Sequence, residues 1–472
     1  MEVKIKLNDM KYRYDVYQMF NIYFPLDEIK FLDDGDYIVN ILEDKVEFKC
    51  NEYYNETKIF ENIKEDIKRL VFSSLKDITK EEYPWGILVG IRPSKIALKY
   101  LEEGKTEEEI IEIFKTKHLA NEEKAKLCIE IAKAEEKFVN KNSNSIAIYI
   151  GMAFCPTRCF YCSFAANPII GNKKLVSPYL EALIREIKAM KKYVNDRKLN
   201  IESVYFGGGT PTAVNNEEFE IVMKEAYEAF VKDKNVKEFT VECGRPDSIT
   251  REKLQTMLNY DVTRISINPQ TMNDDTLKMI GRGHNSNEVI EKFNLARSMG
   301  FNDINMDMII GLPGEGIKEV LHTKEEILKL KPDSLTVHGL SLKRASILYE
   351  NFVLKKGIQV KKQNELALMY EESRKLANEL GLKPYYMYRQ KNMLGNFENV
   401  GYAKPGYECI YNVEIMEESE SIIAAGAGAI TKMVYQNGER IDRIANVKSL
   451  EDYITRIDEM IERKREGFMK YR

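Results

Sequence analysis

Cys155, Cys159 and Cys162 lie in the stretch "AFCPTRCFYCSF", spaced C-x3-C-x2-C, and make up three of the chain's seven cysteines. Phe154, Phe160, Tyr161 and Phe164 surround them, so aromatic side chains dominate the loop around its thiols. Thiolates are soft ligands that suit iron–sulfur clusters or zinc. A structural zinc site asks for four ligands, usually from a second Cys-x2-Cys or a histidine pair. None follows here: Cys243 is single, and His284, His322 and His338 are dispersed. Four-iron clusters normally take four cysteinates, one for each iron. Three on one loop would leave one iron open to a small molecule, and a site-differentiated 4Fe–4S cluster is the reading these residues favour. Zinc and buried structural or redox thiols are the alternatives. Cys50, Cys128 and Cys409 are also scattered singly, and the clustered three are too close together for a disulfide framework. A reducing, cytoplasmic compartment is therefore expected.

The elements that must position this loop begin at residue 146. Short β-type runs alternate with helical ones: strand 146–150 and helix 178–194, strand 203–208 and helix 216–231, strand 238–243 and helix 250–259. Strand 263–267 precedes helices 273–280 and 286–299, strand 303–310 precedes helix 316–330, and strand 334–339 ends the series. Such alternation predicts parallel strands with crossover helices. No GxGxxG follows a strand, which argues against a dinucleotide-binding domain. A partial (β/α)6 barrel fits better, and barrels of this kind carry their chemistry at the C-terminal ends of the strands. The cysteine loop, "GGGTPT" after the second strand, Glu242, Gln270 and Asp307 all fall at or near those ends.

The first 140 residues have a different texture. "DYIVNILEDKVEFKC" alternates apolar and polar positions on both sides of Glu43-Asp44-Lys45 and reads as a hairpin. Helical periodicity follows at 61–79 and 121–139, Thr106 and Glu109 form a capping box, and "NKNSNS" at 140–145 reads as a linker. The chain has 472 residues, 44% of them apolar and 31% charged, with a formal charge of −4. That near-balance argues against a nucleic-acid binder working through a broad basic field. "MEVKIKLNDMKYRYD" has no apolar core of a secretory leader, and "SIIAAGAGAI" is about half the ~18 residues of a membrane span. No membrane span is expected.

In order along the chain, "YIGMAFCPTRCFYCSF", "YFGGGTPT", "RISINPQTMNDDTLKMIGRGHN" and "INMDMIIGLPGE" resemble the segments of the oxygen-independent coproporphyrinogen III oxidase family, within the radical S-adenosylmethionine (SAM) superfamily. "GILVGIRPSKI", "VHGLSLKRAS", "PYYMYRQKNMLGNFENVGY" and "AAGAGAITK" extend the resemblance to the HemZ-type branch. The implied fold is a partial (β/α)6 radical SAM barrel at 145–345, with an N-terminal α+β domain at 1–140 and a substrate-covering α+β extension at 346–472. The implied cofactors are a 4Fe–4S cluster on Cys155, Cys159 and Cys162 and one SAM, whose cleavage yields a 5′-deoxyadenosyl radical. Tyr149, Tyr161, Gly208, Gly209, Thr210, Glu242, Gln270, Arg282 and Asp307 match the positions near cluster and SAM, with Tyr149 also a catalytic candidate. By analogy, Ile430 and the "AAGAGAIT" loop mark a place for a second SAM.

The resemblance implies oxidative decarboxylation of two propionates of coproporphyrinogen III to vinyls, giving protoporphyrinogen IX for heme biosynthesis. It also implies an electron donor such as flavodoxin or ferredoxin. Lys343, Arg344, Arg389 and Lys391, beside Tyr385, Tyr386 and Tyr388, are the candidates for a tetrapyrrole pocket. Phe164 stands where the best-established oxidases of the family carry a further cysteine, and heme-chaperone-like relatives share that form. A heme-binding carrier and a radical enzyme acting on another tetrapyrrole are therefore alternatives.

Overall fold

The computed structural model describes residues 2–25, 27–60, 62–90, 92–138, 144–162, 167–341, 346, 348, 362–390, 393–435 and 440–470. Two compact units divide the chain. The first holds residues 1–132 together with 362–367 and 388–398; the second holds the rest.

In the first unit β1 (Val3–Leu7), α1 (Arg13–Tyr23), β2 (Ile29–Phe31), β3 (Tyr37–Ile41), β4 (Lys45–Cys50) and β5 (Tyr53–Lys58) build a five-stranded sheet of order β2-β1-β3-β4-β5. The predicted hairpin is β3–β4, paired antiparallel from Tyr37↔Cys50 to Ile41↔Val46. Helices α1 and α2 (Ile63–Thr79) supply the core of this sheet through Met19, Phe20, Ile67 and Val71, all fully buried. Then come α3 (Pro93–Glu102), α4 (Glu107–Lys117) and α5 (Glu122–Glu135). Thr106 and Glu109 close the expected capping box at α4.

The second unit runs β6 (Ser145–Met152), β7 (Phe154–Cys155), β8 (Asn167–Pro168), α6 (Lys173–Asp196), β9 (Asn200–Gly208), α7 (Asn216–Phe230), β10 (Glu238–Glu242), α8 (Arg251–Asn259) and β11 (Arg264–Ser266). It continues with α9 (Asp274–Met279), α10 (Ser286–Met299), β12 (Ile304–Ile310), α11 (Ile317–Leu330) and β13 (Ser334–Gly339). The six strands of the alternating series are parallel neighbours in chain order, β6-β9-β10-β11-β12-β13. They are buried almost throughout, as strands covered on both faces must be, which is why they read as continuous apolar runs. Helix α6 begins at Lys173, earlier than the predicted 178, and carries Pro178 inside its N-terminal part.

The chain then adds α12 (Gln363–Glu379), β14 (Lys383–Tyr388), β15 (Asn399–Ala403), α13 (Ile410–Glu417), β16 (Ser421–Ala425), β17 (Ile430–Tyr435), β18 (Arg440–Ala445), α14 (Leu450–Thr455) and α15 (Ile457–Lys470). These strands extend the sheet on both sides to eleven: β15 lies antiparallel on β13, and β16 lies parallel on β6. Glu186 of α6 joins this extension to the barrel. Its carboxylate accepts the Gly426 amide at 2.8 Å, Asn446 Nδ2 at 2.8 Å and the Tyr453 hydroxyl, and it pairs with the buried Lys464 ammonium. Among the described residues no helix is long and apolar enough to cross a membrane.

Candidate functional site

The cysteine loop leaves β6 through β7, whose two residues pair with β8 beyond the loop, Cys155 opposite Pro168. Cys159 is buried; Cys155 and Cys162 are partly exposed. Thr210 Oγ1 donates to Cys155 Sγ at 3.4 Å. Two guanidiniums, Nη1 of Arg245 at 3.7 Å and Nη1 of Arg282 at 3.8 Å, donate to Cys159 Sγ. Burial pushes the Cys155 thiol up to about 11, with the Thr210 hydroxyl working against it, so metal binding must displace a proton there. Among the described residues no group of three or more His, Cys, Asp or Glu is gathered as a metal-ion site. Cys155 nevertheless lies within electrostatic reach of Cys159 and Cys162. Neighbouring thiols on one loop suit a cluster, in which each binds a different iron. Tyr161 is half-buried beside Cys159 and Arg282, and desolvation raises its hydroxyl.

Gly208 and Gly209 close β9 against this loop. Gly208 has φ 100°, and a Cβ on Gly209 would stand 2.4 Å from the Phe154 carbonyl and 3.1 Å from Cys155 Sγ. Only a bare backbone passes there. Glu242 ends β10 and accepts a short hydrogen bond from the Tyr205 hydroxyl. Burial raises its carboxyl to about 7, against the Tyr205 and Gly208 donors. Asp307 in β12 goes the other way. Although burial works to raise it, His338, 3.6 Å away, and Asn305 Nδ2, donating at 2.7 Å, hold it below the ordinary range.

Gln270 sits at φ 67° just past β11, its amide donating to the Asp307 carbonyl and its carbonyl accepting from Ile309, both at 2.9 Å. This local bridge to Met308 fixes Gln270 beside Asp307. Arg282 Nη2 reaches the Gly244 carbonyl at 2.9 Å and the Asn268 carbonyl. Backbone pairing and these side-chain bonds thus bring Cys155, Cys159, Gly208, Gly209, Thr210, Glu242, Gln270, Arg282 and Asp307 to one end of the parallel sheet. Ile430 opens β17, 45% exposed and one strand removed from β6, although its glycine loop touches β6: a Cβ on Gly426 would lie 2.3 Å from the Gly151 carbonyl.

Around Tyr149, Gln270 and Arg282 the structure gathers residues beyond the sequence-based candidates: Tyr205, Tyr411, Thr240, Ser266 and Asn268. The Tyr149 ring stacks 6.3 Å from Tyr205 and 6.0 Å from Tyr411, and the last two stand 4.4 Å apart, giving a three-ring stack in which Tyr411 is buried and Tyr149 and Tyr205 are half-buried. Tyr411 enters from α13, whose first amides at Ile410 and Tyr411 are accepted by the buried Glu238 carboxylate. Strand alternation places Tyr205 on the Gly207 face of β9, a signal the sequence did carry. For Tyr411 there was none. Thr240 Oγ1, Ser266 Oγ, Asn268 Oδ1, Gln270 Oε1 and Arg282 Nε are buried without a hydrogen-bond partner among the described residues. Buried polar atoms are otherwise nearly always satisfied, so this group fits a polar ligand such as the amino-acid end of SAM.

Of the residues expected to line a tetrapyrrole pocket, Arg389, Tyr385 and Tyr386 are packed into the interior instead. Lys343, Arg344 and Lys391, like Phe164, lie outside the described residues. Arg389 is buried and committed: it donates to the carbonyls of Leu88, Asn396 and Phe397 and lies over the Trp85 ring at 4.6 Å. Tyr385 and Tyr386 are buried too, at 2% and 5% exposure, and the Tyr386 ring occupies the space above Gly401. These residues serve the packing of their own units.

Residues 149–327 match the family model of the radical SAM superfamily. The chain is 42% identical over 412 residues to the oxygen-independent coproporphyrinogen-III oxidase-like protein HemZ of Bacillus subtilis, covering 87% of this chain and 82% of that one. It is 29% identical to the heme chaperone HemW of the same organism, over 65% of this chain and 75% of HemW. Among solved structures, coproporphyrinogen III oxidase (HemN) from Escherichia coli superposes with a TM-score of 0.53 at 20% identity, covering 70% of this chain and 73% of that one, and so shares the fold. The superfamily implies a 4Fe–4S cluster and SAM, and the thiols, the glycine cradle and the unpartnered polar atoms of this site fit both. The chain belongs to the HemZ-like family of oxygen-independent coproporphyrinogen III oxidase-like radical SAM proteins.

Proposed function

We propose that this protein is an oxygen-independent coproporphyrinogen III dehydrogenase that converts two propionates to vinyls and yields protoporphyrinogen IX. What supports this most is the set of unpartnered buried atoms, Ser266, Asn268, Gln270 and Arg282, meeting the three-cysteine loop at one end of the sheet in a chain 42% identical to HemZ. When bound, cluster and SAM supply a hydrogen-abstracting radical by one-electron cleavage of the sulfonium. Cys155, Cys159 and Cys162 would hold three irons. The carboxylates of Glu242 and Asp307 suit the cationic amino group and the hydroxyls of SAM, and the Arg282 guanidinium suits its carboxylate. Gly208 and Gly209 let the backbone come close, and the Tyr149–Tyr205–Tyr411 stack keeps water from below. Each propionate loses a hydrogen atom from its β-carbon, then carbon dioxide and one electron. A one-electron acceptor takes that electron, and a flavodoxin- or ferredoxin-type donor reduces the cluster.

The test is anaerobic: reconstituted protein with dithionite, SAM and coproporphyrinogen III, products measured by mass spectrometry. The reading expects loss of two carbon dioxides together with 5′-deoxyadenosine, both abolished by alanine at Cys155, Cys159 or Cys162. Deoxyadenosine with unchanged tetrapyrrole would overturn the substrate assignment. The similarity to HemW favours a second reading, a heme carrier. Stable heme binding without deoxyadenosine would support it.

A further inference from the structure

Arg245 has no part in the functional reading above, yet it is a buried, fully anchored cation beside the cysteine loop. It follows β10 by three residues and is 2% exposed. Its Nη1 donates to Cys159 Sγ at 3.7 Å and to the Thr157 carbonyl at 3.2 Å, and its Nη2 donates to Thr157 Oγ1 at 2.9 Å. The opposite edge of the fork meets Asp247 in a bidentate pair, Nε to Oδ1 at 3.0 Å and Nη2 to Oδ2 at 2.9 Å. Thr157 Oγ1 in turn donates to the Gly281 carbonyl at 3.1 Å. A Cβ on Gly283 would stand 2.7 Å from Asp247 Oδ2 and 3.1 Å from Arg245 Nη2, so the pair fits because that position has no side chain. All five guanidinium donor directions are thereby taken, all within the loop and its support.

Hydrogen bonds to cluster sulfurs and nearby net charge set iron–sulfur potentials. A buried cation bonded to one ligand sulfur favours the reduced, more negative cluster, and the carboxylate behind it opposes that effect. Arg282 also touches Cys159, but its other arm holds the carbonyls of Gly244 and Asn268 on the side assigned to SAM. We propose that Arg245, balanced by Asp247, is a positioning and tuning residue that raises the reduction potential of the cluster held by Cys155, Cys159 and Cys162. This rests on the iron–sulfur reading of the site.

The two residues carry opposite charge, so their removal acts in opposite directions. In the full chain with its cluster reconstituted, EPR-monitored redox titration should place Arg245→Gln below the parent protein and Asp247→Asn above it. Each shift should reach about 60 mV, the one-electron equivalent of a tenfold change in equilibrium constant. SAM affinity should stay within about twofold, since neither side chain is among those assigned to SAM. General loosening of the loop would move both variants the same way, and that result, or unmoved potentials at matched iron content, overturns the proposal. Should Arg245→Gln lose its iron, Arg245→Lys takes its place. It keeps the charge without the planar fork, and a smaller fall is expected. A parent protein with no reduced-cluster signal would refute the iron–sulfur reading itself, a failure distinct from unmoved variants.

Discussion

Replacing Tyr205 by Phe removes one hydroxyl from the centre of the site and leaves the ring to stack on Tyr149 and Tyr411. That hydroxyl donates to Glu242, whose carboxyl burial has already raised to about 7. The groups facing Glu242 are Tyr205, the Gly208 amide, Asp307 and His338; the first two favour its charged form, and Asp307 disfavours it. A hydrogen bond to a charged group contributes about 1.5–3 kcal/mol, and at about 1.4 kcal/mol per pH unit its loss should raise Glu242 by about one to two further units. At about pH 7.5 the ionised fraction would then fall from about three quarters to between a quarter and a thirtieth. If ionised Glu242 holds the SAM ammonium, affinity should fall roughly three- to twenty-five-fold at that pH. The assay is equilibrium dialysis of labelled SAM against cluster-loaded protein from about pH 6 to about pH 9.5. Parent affinity should rise with pH through about 7, the Tyr205→Phe curve should rise later, and the two should converge at the alkaline end. Coincident curves, or a vertical offset with an unchanged midpoint, would refute the coupling of Tyr205 to Glu242.

Three further predictions concern the framework. Arg389→Ala should destabilise the first unit by about 2–4 kcal/mol, through lost carbonyl bonds and the lost Trp85 stack. Trp85 is the sole tryptophan, so its fluorescence reports the change directly, and SAM affinity should not move. Lys464→Met leaves the buried Glu186 carboxylate without its cation and should cost about 3–5 kcal/mol in urea unfolding, much of it restored by adding Glu186→Gln. Glu420 is 3% exposed, and burial with the neighbouring Glu414 raises its carboxyl to about 10. A folded value above the unfolded one gives stability that is complete below about pH 4.5 and declines as pH rises towards 10. Glu420→Gln mimics the protonated form. Its melting temperature should exceed the parent's by a margin that widens from about pH 6 to about pH 9.

What was legible in the sequence was whatever local pattern dictates. Alternating strand and helix periods located β6 and β9 to β13, and the strand-end rule put Glu242, Gln270 and Asp307 with the cysteine loop; the two-residue strands β7 and β8 carry no such period. Thr106 with Glu109, and the turn at Glu43-Asp44-Lys45, are short-range signals of the same kind. Pairings over long sequence separation were not legible. "SIIAA" is a bare apolar run, and nothing in it says that it lies parallel to β6; only the completed sheet supplies that neighbour. Arg389 misled for a related reason: a basic residue among tyrosines reads as an anion pocket until the carbonyls of Leu88 and Asn396 are found around it. Arg245 was visible as a charge just past a strand end. Its bond to Cys159 depends on how two loops 86 residues apart meet.

The composition of the first unit also has a consequence for how the chain is made. Trp85 Nε1 and Lys124 Nζ donate to the two oxygens of Glu398 at 2.6 Å each, and Lys124 is separated from that partner by 274 residues. A ribosome adding 5–20 residues per second needs roughly 15 to 55 s to deliver Glu398 after Lys124 has emerged. Throughout that interval the nascent N-terminal segment carries an ammonium and an indole N–H that the finished protein buries against one carboxylate. Its last step of closure is thus tied to translation of the far end of the chain. A fragment cut near residue 132 would remain in that incomplete state, a reason to expect holdase binding or aggregation from such a truncation and to express this protein whole.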